Sequence, residues 1–325
     1  MNLMQSLANY IIRPHREIYQ VSDLGHIKFS LGKINYQRKD FQLVSTRGYL
    51  RCSWFDSIKG DPKKCIIYCH GNCGCRIDSF DILEQVLKAG MSLVCFDFGG
   101  CGLSDGNYVT LGHYEKNDIK VVVDYVQASG KATSIGIWGR SMGAVAAILY
   151  SNSTVNAPPL VLDSPFCCLS DVIDDMVKRY KLIPNMLKDF IMEKISKIIK
   201  DTAFFDINSI IPLSGVGKCR NSAVFIHSFE DKLINIEHSQ KLYKEWGGPK
   251  HFLTVSGQHN AMRDPVTILR SLQLLEQMMN LGSSEDDGSA TERRCPPEFS
   301  KKVNKVIRHR RYQSEGESQK FVQIK

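Results

Sequence analysis

The most constraining stretch of this chain runs from Thr133 to Val145. Ile135, Ile137 and Trp138 suit a covered strand, and Ala144 to Leu149 continue as an apolar helix. Between them, Gly139-Arg140-Ser141-Met142-Gly143 forms a G-x-S-x-G pentapeptide. A serine held on so sharp a strand-to-helix turn takes strained backbone angles. The residues two before and two after it must lack bulk, because strand and helix pass close by. The helix that follows points its amino end at Ser141, where its N–H groups and dipole can stabilise a developing oxyanion. A loop serine without a role is the competing reading of the pentapeptide alone, so the rest of the chain decides.

Strand and helix patterns alternate along most of the sequence. Cys65 to Cys69, Ser92 to Asp97, the strand before Ser141, Pro159 to Asp163, Ala223 to His227 and His251 to Val255 read as strands. Helical periodicity covers about Asp78 to Lys88, Tyr114 to Ala128, Glu237 to Trp246 and Val266 to Met279. This order predicts a doubly wound, mostly parallel sheet with helices on both faces, and 41–56 adds an antiparallel edge hairpin. In such sheets reactive residues sit on loops beyond the carboxyl ends of strands. Residues 164–217 break the alternation with two helices, so they are expected to cover that edge as a helical lid. The apolar stripe of the second lid helix can line an acyl-chain pocket or simply pack on the core, and packing is the commoner outcome.

Before the sheet, Leu3, Leu7, Ala8, Ile11 and Ile12 have helical spacing that Pro14 ends. A helix packed on the main domain is favoured over a membrane-surface anchor, because flanking cations are few. Residues 1–281 are therefore expected to form one domain. Beyond them 282–325 turn acidic and then basic, with Lys301, Lys302, Lys305, Arg308, Arg310 and Arg311, and read as a disordered polar tail. A weak contact with an anionic membrane surface and a basophilic-kinase site at Ser314 are the sharper readings of that tail, and a solvated tail is the favoured one. The net charge of +8 permits anionic partners without demanding them, and no nucleic acid is expected. Eleven cysteines, with no secretory signal and no apolar run of transmembrane length, read as reduced thiols of a cytosolic protein.

A serine hydroxyl needs a base within hydrogen-bond reach, and the base needs a group that fixes its tautomer. His259, beyond the strand ending at Val255 and the turn at Gly257, fits the base. Asp231, beyond the preceding strand, fits the orienting carboxylate. The adjacent Glu230 is an alternative that spacing alone does not separate, and Asp163 is another, more naturally a structural or hinge residue. The oxyanion donors are expected at the backbone N–H of Met142 and of Asn72, with Cys73 as the alternative to Asn72. Two other readings are weaker. Cys69, His70, Cys73 and Cys75 suggest a metal site but lack a second pair at zinc spacing. The glycines at 99, 100 and 102 lack the dinucleotide-loop pattern.

The segments Tyr68-Cys69-His70-Gly71-Asn72, Asp97-Phe98-Gly99-Gly100-Cys101-Gly102-Leu103-Ser104, Gly139-Arg140-Ser141-Met142-Gly143, Leu162-Asp163-Ser164-Pro165-Phe166 and Gly257-Gln258-His259-Asn260 resemble the α/β-hydrolase superfamily. The likeness is to its serine-aminopeptidase-like (hydrolase-4) branch. Within that branch the chain resembles plant and protist hydrolases that begin with a Tyr10-Ile11-Ile12-Arg13-Pro14-type segment, and more distantly the depalmitoylating ones. The resemblance covers about 1–281. It implies an α/β-hydrolase fold with an eight-stranded sheet, the triad order Ser141, Asp231, His259, and a serine hydrolase without metal or organic cofactor. The substrate implied is a small molecule or acylated compound bearing an ester or thioester. An amide or peptide bond, as the branch's name suggests, is the second reading, and a non-catalytic scaffold acting through its tail is a third. Asn235 stands where this family often has proline. The cysteine-rich amino terminus of the depalmitoylating enzymes is missing, since the first cysteine is Cys52.

Overall fold

The computed structural model describes residues 3–59, 61, 63–180 and 185–281. The tail expected over 282–325, with its basic patch and Ser314, lies outside them. The chain opens with α1 (Leu3–Ile12). Three antiparallel strands follow, β1 (Lys28–Leu31), β2 (Ile34–Ser45) and β3 (Gly48–Ser57). The alternating part then runs β4 (Lys63–Cys69), α2 (Phe80–Lys88), β5 (Ser92–Phe96), α3 (Glu115–Ala128), β6 (Ala132–Arg140), α4 (Met142–Asn152) and β7 (Leu160–Asp163). The insertion carries α5 (Leu169–Tyr180) and α6 (Asn185–Ala203). The sequence closes with β8 (Ala223–Ser228), α7 (Ile236–Glu245), β9 (Lys250–Val255) and α8 (Pro265–Leu281).

The sheet has nine strands, in the order β1-β2-β3-β5-β4-β6-β7-β8-β9. From β5 to β9 every pairing is parallel. The eight strands expected are thus one too few: the expected edge hairpin is β2–β3, and β1 extends it into a three-stranded antiparallel meander. The reason is local. The four residues of β1 alternate between exposed and half-buried, and the first half of β2 carries only Tyr36 and Arg38 inward. An edge strand of this kind presents too few apolar residues to be read from pattern.

Alternate side chains of the central strands feed two layers, as a period of two requires. Cys65, Ile67, Cys69, Val94, Phe96, Leu160, Leu162 and Phe225 join the layer of α1, α3, α4 and α7. Ile66, Tyr68, Leu93, Cys95, Val161, Val224 and Ile226 join the layer of α2 and α8. The α4 helix lies deepest: nine of its 11 residues are buried. A helix apolar on every side is a core helix.

The amino-terminal helix packs inside, as favoured. Ala8 and Ile12 are fully buried, in one cluster with Ile195, Ile199 and Ala203 of α6. The apolar stripe of α6 is therefore engaged by α1 and the core over these positions. The segment after α1 is fastened to the loop beyond β5. The Ile12 carbonyl accepts from Val109 N–H (2.9 Å), and the Arg16 guanidinium donates to the carbonyls of Gly102 (2.8 Å), Gly106 (3.1 Å) and Ser104. Ten cysteines lie in the described residues, all as free thiols. Burial pushes the Cys65 and Cys95 thiols up to about 12 and raises Cys69 as well.

Two outcomes follow. Iodoacetamide at pH 8 should leave Cys65, Cys69 and Cys95 intact in the native chain and modify them after denaturation, as read by peptide mass mapping, because the thiolate is the reacting form. Ile12→Ala should cost about 2–5 kcal/mol in urea unfolding, the range for emptying a fully buried aliphatic site. A loss below 1 kcal/mol would place α1 outside the cooperative core.

Candidate active site

The residues expected to form the triad and the oxyanion hole fall beyond the carboxyl ends of parallel strands. Ser141 follows β6, His70 to Asn72 follow β4, Asp231 follows β8 and His259 follows β9. Ser141 has φ +51° and ψ −116°, a strained conformation for a residue with a side chain. The two glycines account for how the turn closes. A Cβ on Gly139 would stand 2.6 Å from the Gly143 carbonyl oxygen, and one on Gly143 would stand 2.1 Å from that of Cys69. The Ser141 N–H donates to the Asp163 carbonyl of β7 (2.7 Å), which ties the turn to the next strand.

Ser141, His259 and Asp231 form one continuous hydrogen-bond chain. His259 Nε2 lies 2.9 Å from Ser141 Oγ, and His259 Nδ1 lies 2.6 Å from Asp231 Oδ2. A carboxylate only accepts, so Nδ1 carries the proton and Nε2 is free to accept from the serine hydroxyl. The other oxygen of Asp231, Oδ1, accepts the N–H groups of Leu233 and Ile234, each at 2.9 Å. Burial works against the ionised carboxyl. Hydrogen bonds from His227 and His259 and from the Ile234 N–H outweigh it and hold Asp231 well below the usual carboxylate range.

The alternatives are placed elsewhere. Glu230 Oε2 accepts the Gly257 N–H (2.6 Å), so it braces the start of the histidine loop and does not orient His259. Gly257 has φ +98°, which suits the sharp turn expected there. Asp163 is paired with Arg263 through both guanidinium Nε (2.9 Å) and Nη2 (2.7 Å) and is 1% exposed. Its burial opposes ionisation, yet Arg263 lowers its pKa on balance. The His70 ring uses both nitrogens within the loop: Nδ1 donates to the Gly71 carbonyl (2.7 Å), and Nε2 accepts the Phe98 N–H (3.0 Å). Cys69 is buried in β4. Asn235 caps α7, its carboxamide oxygen accepting the Glu237 N–H (3.0 Å), which supplies the start signal that proline gives elsewhere.

The loop after β4 lies against Ser141. A Cβ on Gly71 would stand 3.7 Å from Ser141 Cβ and from the Arg140 carbonyl oxygen. Asn72 is the next residue, and its carboxamide oxygen is buried without a protein hydrogen bond. Met142 is the first residue of α4, at the helix end that faces the site.

Two side chains that sequence reasoning passed over belong to this site. His227, fully buried in β8, has Nε2 2.9 Å from the Ile234 carbonyl and 3.4 Å from Asp231 Oδ2, while its Nδ1 lies 2.6 Å from Ser239 Oγ. The Ile234 carbonyl only accepts, so Nε2 carries the proton and faces Asp231 as a donor. Arg140, inside the pentapeptide, reaches the carbonyls of His259 (3.1 Å) and Ala261 (2.6 Å). The signal for His227 was its place four residues before the acid, at the end of a strand. Nothing in the pattern distinguished Arg140 from any residue filling a variable position.

Comparison with known proteins bears on the fold. A family model described as serine aminopeptidase, S33 (Hydrolase_4), matches residues 60–209. Protein YqkD of Bacillus subtilis (strain 168) is 27% identical over 256 residues, covering 74% of this chain and 79% of YqkD. L404 of Acanthamoeba polyphaga mimivirus, named as a candidate α/β hydrolase, is 26% identical over 223 residues, covering 66% of this chain and 74% of L404. Among solved structures, the Pyrococcus furiosus esterase Pf2001 superposes with a TM-score of 0.61 at 21% identity, covering 84% of this chain and 98% of that one. The glycine-flanked turn at Ser141, the order of the strands and these likenesses agree on an α/β-hydrolase fold, and residues 60–209 match the serine-aminopeptidase-like, hydrolase-4 family.

Proposed function

We propose that the protein is a serine hydrolase that cleaves a carboxylic ester or thioester through an acyl-enzyme. The observation that carries this reading is the unbroken chain from Ser141 Oγ through His259 to Asp231, presented on a strained turn at the head of α4. Ser141 Oγ attacks the carbonyl carbon as His259 Nε2 takes its proton. Asp231 holds the imidazole in the required tautomer and balances the imidazolium. The N–H groups of Met142 and Asn72 receive the oxyanion, and the amino end of α4 adds its dipole. The imidazolium then protonates the leaving alcohol or thiol. Water, deprotonated by the same nitrogen, releases the acid and restores Ser141.

In this reading the insertion that leaves β7 covers the acyl end of the substrate, because it starts on the side of the sheet that carries the three residues. The family description favours a second reading, in which the acyl group is carried on nitrogen. Among the described residues no helix is long and apolar enough to cross a membrane, and the proposed location is the cytosol, with the tail as a contact for anionic surfaces.

The test is labelling of the purified full chain by a fluorophosphonate probe. Wild type should label, Ser141→Ala should not, and His259→Ala and Asp231→Asn should slow the reaction by about 10²–10⁴-fold, the range expected for a general base and its orienter. Hydrolysis of matched ester, thioester and amide substrates then separates the two readings. A folded wild type that fails to label would remove the enzyme reading and turn attention to the tail. Stability should respond as well. The folded pKa of Asp231 lies below its unfolded value, so its contribution is full above the ordinary aspartate range near 4 and is lost as pH falls toward the folded pKa. Asp231→Asn should therefore be less stable than wild type at pH 7 in urea unfolding, with the gap narrowing as pH falls below about 4.

A further inference from the structure

We propose that Arg140 is a positioning residue for His259, and that its guanidinium sets the distance between the base and the nucleophile. The inference rests on the triad reading above and adds to it. Arg140 directly precedes Ser141, so the residue that delivers the nucleophile is joined to the residue that anchors the base. Its Nη2 donates to the backbone carbonyls of both His259 (3.1 Å) and Ala261 (2.6 Å), and its Nη1 donates to Asp81 Oδ2 at the start of α2 (3.1 Å). The side chain is 12% exposed. Three segments distant in sequence thus meet on one planar group.

The loop from β9 to α8 needs such a hold. Its start is fixed by Glu230 on the Gly257 N–H, and its end by Arg263 on Asp163. His259 stands between these two anchors, and Arg140 binds the backbone oxygen of His259 itself. A guanidinium offers several N–H donors in a rigid fork, so it can hold two carbonyls and a carboxylate at once. An ammonium is a compact point charge on a flexible stem and cannot reproduce that geometry. Burial opposes the charge on Arg140, but the carboxylates of Asp163 and Asp81 outweigh it, so the donors remain in place. Because Asp81 answers the charge and the carbonyls answer the geometry, the two functions of Arg140 can be separated.

The experiment uses the full chain with Arg140→Lys, Arg140→Gln and Asp81→Asn. It reads the second-order rate of fluorophosphonate labelling, kcat and KM on p-nitrophenyl acetate, and the melting temperature. Arg140→Lys keeps a cation for Asp81 and should fold. Its labelling rate and kcat should fall about 10–100-fold with KM unchanged, since a base displaced by about 1 Å costs on the order of 100-fold. Arg140→Gln should fall at least as far. Asp81→Asn should lower the melting temperature while labelling stays within about threefold of wild type, which a merely structural role for Arg140 does not predict. The proposal is overturned if folded Arg140→Lys labels at the wild-type rate, if Arg140→Lys does not fold, or if Asp81→Asn loses labelling as fully as Arg140→Lys. A wild type that does not label, alongside an indistinguishable Ser141→Ala, instead fails the triad reading beneath it.

Discussion

At Gly143 the α4 helix is pressed against the end of β4. The Gly143 backbone passes so near the Cys69 carbonyl that no side chain fits between them, and Gly139 faces Gly143 and Ala144 under the same restriction. This contact goes with the positive φ of the turn at Ser141, so the serine stands out from the sheet instead of lying along it. It also brings the loop after β4 against the serine, which is where an oxyanion donor has to be. The strain belongs to one residue and is held by its surroundings: the Ser141 N–H is bound to β7, and its carbonyl accepts the Val145 N–H of α4. Such a conformation persists only where neighbours over-determine it.

Two buried aspartates, one closing β7 and one in the loop after the neighbouring β8, show how the same residue type is put to different use. Asp163 meets a guanidinium fork and is committed to it. The pair joins β7 to the stretch ahead of α8, and breaking such a pair strands the remaining charge. Among the described residues no lysine or arginine is paired with Asp231. It is held by backbone N–H groups on one oxygen and by two imidazoles on the other. That arrangement keeps the carboxylate ionised while leaving His259 free to gain and lose a proton at Nε2. A full ion pair at Asp231 would have spent the negative charge before the imidazolium formed.

Most of the sheet and the meeting of Ser141 with His259 were legible in the sequence, because each is tied to a local rule. A nucleophile needs glycines two residues to either side. A base and its orienter need loops after late strands. The choice between Glu230 and Asp231 was not legible, since it turns on which carboxylate receives the Leu233 and Ile234 N–H groups and which reaches Gly257. Two adjacent residues differ there only by the curl of one loop. The edge strand β1 escaped because an exposed strand carries little apolar signal. His227 and Arg140 escaped for another reason. Their partners lie on other segments, or on backbone oxygens that no side-chain pattern encodes.

Those backbone oxygens also explain why the amino-terminal segment belongs to the hydrolase domain. Arg16 gathers carbonyls from the glycine-rich loop after β5, and Tyr19 donates to Asp97 Oδ2 (2.7 Å) at the start of that loop. Asp97 in turn accepts the N–H groups of Arg76 (2.8 Å) and Leu103 (2.9 Å), so the loops after β4 and β5 share one buried carboxylate. The His70 ring closes the same link from the other side by accepting the Phe98 N–H. A loop rich in glycine is conformationally costly to order, and here it is ordered by groups contributed from three other segments. The segment that begins with α1 is thus bound at one end to α6 of the insertion and at the other to the loops that flank Ser141. Any movement of α6 that dragged α1 would be resisted where the Ile12 carbonyl holds Val109, before it reached the triad.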